Sequence, residues 1–196
     1  WNDGCLRRDW VLGLWAKFDS EGEGLGDAVA PLPYTFRWAC RNLWNDHHAR
    51  LNTMALAVWF RLEVAVKNWG ELKTPEPYTA RWLMRAAWAE KDQPLFNGHN
   101  VLLWADFEVA ADNIGTGNLE DFSARWLLRA CWDGEHKERF RNSDFLRRWA
   151  GLEAGQDNVG DDNKLEPYSA RWLYRTAWEQ SHDDLFTPVT RLEWAE

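Results

Sequence analysis

Pairs of arginines four residues apart recur along the chain, and their spacing suggests chemistry more directly than any other feature. The four pairs are Arg37 and Arg41, Arg81 and Arg85, Arg125 and Arg129, and Arg171 and Arg175. Positions four apart share one face of a helix, where like charges repel, so carboxylates should lie nearby. The carboxylates that recur with a similar period are Asp19, Glu63, Glu108 and Glu153.

Two uses of these arginines follow from the properties of the guanidinium group. Its planar fork can hold a carboxylate through two hydrogen bonds and can also stack on an indole ring. The matching periods therefore favour an ion pair between the two helices of each repeat, for example between Arg81 and Glu63. The alternative is a row of arginines that binds an anionic ligand.

Tryptophan is abundant, with 16 residues among 196, and fourteen of them recur at fixed positions. The three series are Trp38, Trp82, Trp126 and Trp172; Trp1, Trp44, Trp88, Trp132 and Trp178; and Trp15, Trp59, Trp104, Trp149 and Trp194. An indole buries on the order of 200 Å², so this recurrence favours burial between neighbouring repeats. The alternative is that exposed indole faces bind a carbohydrate or an apolar ligand. Trp69, which is out of register, is the tryptophan most expected to be exposed.

Two acidic stretches resemble part of an EF-hand calcium loop. FDSEGEGLGD carries Asp19, Glu21 and Glu23 followed by Gly24, and DNIGTGNLEDFS keeps Asp112, Gly117 and Leu119 at loop positions one, six and eight. The twelfth position, a bidentate glutamate in such loops, is Ala30 in one stretch and Ser123 in the other. The resemblance implies a degenerate calcium-binding protein as a further alternative.

Histidines and cysteines show no spacing typical of a metal site or a disulfide framework. The histidines that follow a helix tryptophan by four residues, where the helix dipole favours them, are His48, His136 and His182. The three cysteines, interpreted as small apolar residues, are Cys5, Cys40 and Cys131. No phosphate loop, HExxH motif or nucleophile elbow is found. The sequence therefore predicts no cofactor and no assignable catalytic, binding or metal residue, and it favours a protein that is not an enzyme.

The recurring residues belong to a repeat of about 45 residues with two helices. Helix A carries the arginine pair and begins at a hydroxyl residue suited to the N-cap: Thr35, Thr79, Ser123 and Ser169. Helix B shows apolar residues at helical spacing: Val11, Trp15 and Phe18; Val58, Trp59 and Leu62; Leu103, Trp104 and Phe107. It ends at an Asn-X-Gly stretch whose Asn and Gly tolerate positive φ: 68–70, 113–115 and 158–160.

These elements predict an all-α fold, a single α-solenoid-like array over residues 1–196 with roughly nine helices in the order B-A-B-A-B-A-B-A-B. The units are expected at approximately 1–43, 44–87, 88–131 and 132–177, with a partial unit at 178–196. Their size is typical of HEAT or armadillo repeats, although the sequence signature of those families is absent. Neither end carries a polar capping unit, so we expect an excerpt of a longer chain, or ends that dock on neighbours.

The composition narrows the classes of partner. The chain is 45% hydrophobic and has a net charge of −8, which disfavours nucleic acid and anionic membranes. No apolar run approaches the roughly 20 residues that a membrane helix needs. A repeated motif is typical of units that stack on copies of themselves. The sequence thus favours a structural scaffold or protein-interaction module that joins a larger assembly through protein partners or self-association, with the compartment and any small-molecule ligand unspecified.

Overall fold

The computed structural model describes residues 23–47, 53–89, 96–116, 119–134, 142–161, 166–180 and 186–195. Within these residues the protein is all-helical, with eight α-helices, a short 3-10 turn at Glu23–Leu25 and no strand. The helices are α1 (Phe36–His47), α2 (Thr53–Ala65), α3 (Ala80–Ala89), α4 (Gly98–Ala110), α5 (Ala124–Asp133), α6 (Ser143–Gly155), α7 (Ala170–Glu179) and α8 (Pro188–Ala195).

The helices alternate as the sequence predicts, with α1, α3, α5 and α7 as A helices and α2, α4, α6 and α8 as B helices. The predicted first B helix, around Val11, Trp15 and Phe18, lies outside the described residues, so the count of nine stays a prediction. None of the described helices combines the length and the apolar character needed to cross a membrane.

Side-chain caps explain where several helices begin. Thr79, Ser123 and Ser169 each accept a hydrogen bond from the backbone N–H three residues later, at 3.4, 3.4 and 3.3 Å. The predicted N-caps are therefore confirmed at these three positions. Asn97 and Asn142 cap α4 and α6 in the same way, at 3.0 and 2.9 Å, and these two caps were not predicted.

The chain divides into two compact units, residues 1–96 and 97–196. In the first unit, α2 packs against α3, and α1 contacts the 3-10 turn. In the second unit, α4 packs against α5 and α6, α5 also contacts α6, and α6 packs against α7. The largest fully buried side chains include Trp59, Phe60 and Leu83 in the first unit and Trp104, Phe145 and Trp149 in the second.

The turn from each B helix to the next A helix follows the same backbone path three times. Two residues after the last residue of the helix comes a left-handed residue with φ near 60°: Lys67, Asp112 and Asp157. Three residues later a glycine has positive φ, as the sequence predicts: Gly70, Gly115 and Gly160. A third left-handed residue, an aromatic one, precedes the N-cap: Tyr78, Phe122 and Tyr168, with Tyr34 alike before α1. Left-handed aromatic residues are uncommon, and surrounding contacts must hold them in this conformation.

Candidate functional site

A buried carboxylate on α2 accepts four hydrogen bonds from side chains. Glu63 is 1% exposed. Its Oε1 accepts from the indole N–H of Trp59 at 3.0 Å and from Nε of Arg37 at 2.9 Å. Its Oε2 accepts from Nη2 of Arg37 at 2.6 Å and from Nδ2 of Asn68 at 2.8 Å. We name this set of glutamate, tryptophan, asparagine and arginine the carboxylate cluster.

The second unit contains a carboxylate cluster of the same composition on α6. Glu153 is fully buried and accepts from Trp149 at 3.0 Å and from Asn158 at 2.7 Å. Nη2 of Arg125 donates to Oε2 at 2.5 Å, and Nη2 of Arg129 lies 3.7 Å from Oε1. Burial alone would raise the pKa of Glu153, but the hydrogen bonds from Arg125, Asn158 and Trp149 outweigh it and lower that pKa below its ordinary value.

A third glutamate, on α4, has the same two types of partner: a tryptophan of its own helix and an asparagine of the turn that follows. Glu108 is fully buried and accepts from Trp104 at 3.2 Å and from Asn113 at 2.9 Å. In all three cases the tryptophan precedes the glutamate by four residues, and the asparagine follows it by five. The asparagine side chain also reaches the carbonyl of the left-handed aromatic residue, at 3.3 to 3.5 Å. The helices α2, α4 and α6 are thereby each tied to the turn that follows.

The arginine that pairs with Glu63 is not the predicted one. The partner is Arg37 on α1, the A helix before α2, whereas the sequence favoured Arg81 on α3. Nη1 of Arg81 donates to the carbonyl of Gly70 at 2.7 Å, just as Nη1 of Arg37 donates to that of Gly26. The arginines of the A helices and the glutamates of the B helices recur with one common period. The same sequence pattern therefore results whether a glutamate pairs with the arginine of the preceding helix or with that of the following helix.

The first arginine of each pair also holds a turn. Its Nη1 donates to a glycine carbonyl, at 2.7 Å for Arg37 and Gly26 and at 2.8 Å for Arg171 and Gly160. Glycine is needed there because a Cβ atom would lie 2.2 to 2.4 Å from the N-cap hydroxyl oxygen. The hydrogen bond from the arginine to the glycine carbonyl was not predicted, because a backbone acceptor requires no particular side chain and cannot be recognised in the sequence.

The second arginine of two pairs covers a tyrosine ring. The guanidinium carbon of Arg41 lies 4.3 Å from the ring centroid of Tyr78, whose hydroxyl donates to Asn45 at 3.0 Å. On α5, Arg129 lies 4.7 Å from the ring of Tyr168, whose hydroxyl donates to Asp133 at 2.7 Å. We name the arginine and the Asn or Asp, together with the tryptophan between them (Trp44 or Trp132), the tyrosine site.

The aromatic residues form stacks that link the B helix to the turn. Trp59, Trp104 and Trp149 are fully buried and stack on Tyr78, Phe122 and Tyr168, with ring centroids 5.9 to 6.2 Å apart. Burial is thus confirmed for these three tryptophans of the series, whereas Trp15 and the side chain of Trp194 lie outside what the structure describes. Trp69 is 38% exposed, as expected, but Trp178, at 52% exposed, departs from the burial predicted for its series.

The residues of the two EF-hand-like stretches form no ion-binding site within the described part of the chain. Among the described residues, no group of three or more His, Cys, Asp or Glu side chains could hold a metal ion. Asp27 binds the backbone N–H groups of Val29 and Ala30, and Ser123, at the twelfth position of the second stretch, caps α5. Gly117 and the predicted residues before Glu23 lie outside the described residues, as do His48, His136 and His182.

Two of the three cysteines lie among the described residues. Burial raises the pKa of the Cys40 and Cys131 thiols, so both are held in the unreactive protonated form. Their interpretation as small buried residues is confirmed, and Cys5 lies outside the described residues.

An open groove of about 340 Å³ lies over α4, α5 and α6 in the second unit. Its floor is aliphatic and includes Leu102, Leu128 and Leu152. At its edge Asp106 forms an ion pair with Arg148, and both side chains are about half exposed. No converging set of buried polar groups accompanies this groove among its lining residues, so it lacks the features of a specific ligand pocket.

One internal signal could have located the tyrosine site. The residue that follows the last tryptophan of helix A is Asn45, Ala89 or Asp133, and the next aromatic turn residue is Tyr78, Phe122 or Tyr168, respectively. A tyrosine therefore occurs in the turn where Asn or Asp follows the tryptophan, and a phenylalanine occurs where Ala follows it.

In comparisons with known proteins, no family model, no curated protein and no solved structure matches this chain.

Proposed function

We propose that this protein is a structural scaffold or protein-interaction module that forms part of a larger assembly. The observation that supports it best is the saturation of the buried carboxylates. Glu63, the recurring acidic residue of the first unit, has two donors on each oxygen, all from the protein itself. Its charge thus stabilises helix contacts and is not presented to a substrate or an ion.

We also propose that the alternating helices are tandem two-helix repeats of about 45 residues, in an α-solenoid-like array of roughly nine helices. The recurrence of the turn geometry and of the carboxylate clusters supports this architecture. Repeat arrays expose a large surface relative to their core, and they use it to bind other proteins.

The test is the size of the native particle. In extract of the source organism, size-exclusion chromatography with antibody detection should place the protein in fractions well above the position of a monomer of its own polypeptide mass, which a denaturing gel of the same fractions measures. Crosslinking and mass spectrometry should then give the same protein neighbours in independent preparations. Elution of the native protein as an isolated monomer at every concentration would argue against a scaffold role.

A second candidate function is the binding of a flat ligand, such as a carbohydrate, on an indole face. The exposed ring of Trp69 favours it, with its N–H fixed on the carbonyl of Val64 at 3.1 Å. Titration with a panel of sugars should quench the fluorescence of the wild type but not that of Trp69→Phe. A flat response across the panel removes this candidate. Calcium binding has no such support, because the Ser123 side chain is used as a helix cap.

A further inference from the structure

The helices α4, α6 and α8 begin at equivalent capping residues, and one of these residues stands before a glycine. Asn97 caps α4, Asn142 caps α6 and Thr187 caps α8, each by accepting a hydrogen bond from the backbone N–H three residues later. The residue after Asn97 is Gly98, and no other Asn-Gly pair occurs among the 196 residues of the sequence. The residue after Asn142 is Ser143, so the two asparagine caps differ in the chemistry that their amides can undergo.

An asparagine followed by glycine can lose its amide without an enzyme. The backbone nitrogen of the glycine attacks Cγ of the asparagine, a new N–Cγ bond forms, and the amide nitrogen leaves as ammonia with the proton of the glycine N–H. Water then opens the resulting five-membered imide at one of its two carbonyl carbons, which yields aspartate or isoaspartate. Glycine permits this ring closure most readily, because it has no Cβ and adopts backbone conformations that other residues resist. Water is the sole co-reactant.

The position of Asn97 favours the first bond-forming step. Asn97 is exposed, so water reaches its amide. The N–H of Gly98 is the first of α4 and therefore belongs to the four that have no partner within the helix. The side-chain oxygen of Asn97 accepts from the N–H of Asn100 at 3.0 Å, at the positive end of the helix dipole. The cap thus stabilises the same oxygen on which negative charge develops during the attack.

The backbone of α4 sets the condition for ring closure. Asn97 has ψ 176°, whereas the atoms of a five-membered imide lie nearly in one plane and require a different ψ, so the first turn of α4 has to open. Glycine is among the poorest helix formers, and the first turn of α4 contains no acidic residue, whereas that of α6 contains Asp144. We therefore expect Asn97 to reach the reactive conformation more often than Asn142.

We propose that Asn97 is a site of spontaneous deamidation, at which the neutral cap of α4 is converted into aspartate or isoaspartate while the protein is folded. The aspartate product keeps an oxygen for the N–H of Asn100 and adds a negative charge that the helix N-terminus favours. The isoaspartate product adds one carbon atom to the backbone at the start of α4 and displaces the capping oxygen. The two products therefore have opposite effects on the start of this helix.

The test is peptide mapping of the purified protein after incubation at neutral pH. Samples are digested with pepsin in mild acid, which suppresses further deamidation, and fragment spectra locate each exchange of amide for acid. The exchange should accumulate steadily at Asn97 and more slowly at Asn142. Gly98→Ala, which keeps the asparagine, should slow the exchange at Asn97 about fivefold or more, equivalent to about 1 kcal/mol. Chromatographic separation of the product peptides distinguishes isoaspartate from aspartate.

Ser143→Gly is the matched variant in the opposite direction, because it places an Asn-Gly pair at the cap of α6. It should accelerate the exchange at Asn142 and leave the rate at Asn97 unchanged. Circular dichroism melting should show that both variants are folded before incubation, and Ser143→Gly decides alone if Gly98→Ala is not. The inference would be overturned if Asn97 stayed intact in the folded protein for as long as the urea-unfolded chain takes to convert. Rates that neither substitution changes would overturn it as well.

Discussion

The guanidinium of Arg37 on α1 holds the carboxylate of Glu63 on α2 through two hydrogen bonds of 2.9 and 2.6 Å, with side chains only 7% and 1% exposed. Arg125 and Glu153 form the corresponding pair between α5 and α6. A buried ion pair contributes little net stability relative to apolar residues, but the loss of one partner leaves the other charge buried and uncompensated. These pairs are therefore the positions where single substitutions should be most damaging.

Glu153→Gln should lower the free energy of unfolding by about 3 kcal/mol, because the neutral amide leaves Arg125 buried without its counter-charge. Urea denaturation followed by tryptophan fluorescence measures this change. The matched control on the same helix is Asp144→Asn, which weakens exposed ion pairs with Arg147 and Arg148 and should cost about 0.5 kcal/mol or less. Equal losses in the two variants would contradict the role assigned to Glu153.

The same glutamate predicts how stability changes in acid. The folded-state pKa of Glu153 lies below its ordinary value of 4.5, so its contribution is present above that value and is lost as the pH falls through the folded-state pKa. The stability difference between the wild type and Glu153→Gln should therefore be largest near neutral pH and shrink below about pH 4.5. A difference that stays constant from pH 7 to pH 3 would show that ionisation of this group is not involved.

The Tyr168 hydroxyl should make stability depend on pH in the alkaline range as well. The hydrogen bond to Asp133, together with burial, raises the pKa of Tyr168 above its ordinary value of 10.0. Its neutral form thus contributes stability that is present below pH 10 and is lost as the pH rises through the raised pKa. In an ultraviolet titration, Asp133→Asn should move this step to lower pH and Tyr168→Phe should remove it. An unchanged titration in Asp133→Asn would exclude the proposed contact.

Two glycine substitutions should have opposite effects. Gly160 has φ 92°, and an added Cβ would lie 2.4 Å from the Ser169 hydroxyl oxygen, so Gly160→Ala should destabilise the second unit by about 2 kcal/mol or more. Gly151, inside α6, has nothing within 4 Å of an added Cβ. Gly151→Ala should therefore stabilise by about 0.5–1 kcal/mol. Thermal melting of both variants measures this contrast, and a shift of the same sign in both would refute it.

The sequence predicted the all-helical class, the alternation of helices, and caps such as Ser123 and Ser169, because these features depend on local residue types. It did not predict the partner of Glu63, because one common period cannot tell the preceding helix from the following one. It also missed the left-handed aromatic residues, three of which stack on a tryptophan of the preceding helix. Contacts between helices, more than local propensity, set those details.

The two residues of each buried ion pair are separated by less than one sequence period, and this separation affects how the gene can change length. Arg37 precedes Glu63 by 26 residues and Arg125 precedes Glu153 by 28, both well inside one sequence period. Unequal recombination that duplicates or deletes a whole period therefore copies or removes an arginine together with its glutamate. On the proposed repeat architecture, the chain can lengthen or shorten without leaving a buried charge unpaired, so we expect natural relatives to differ in length by multiples of about 45 residues.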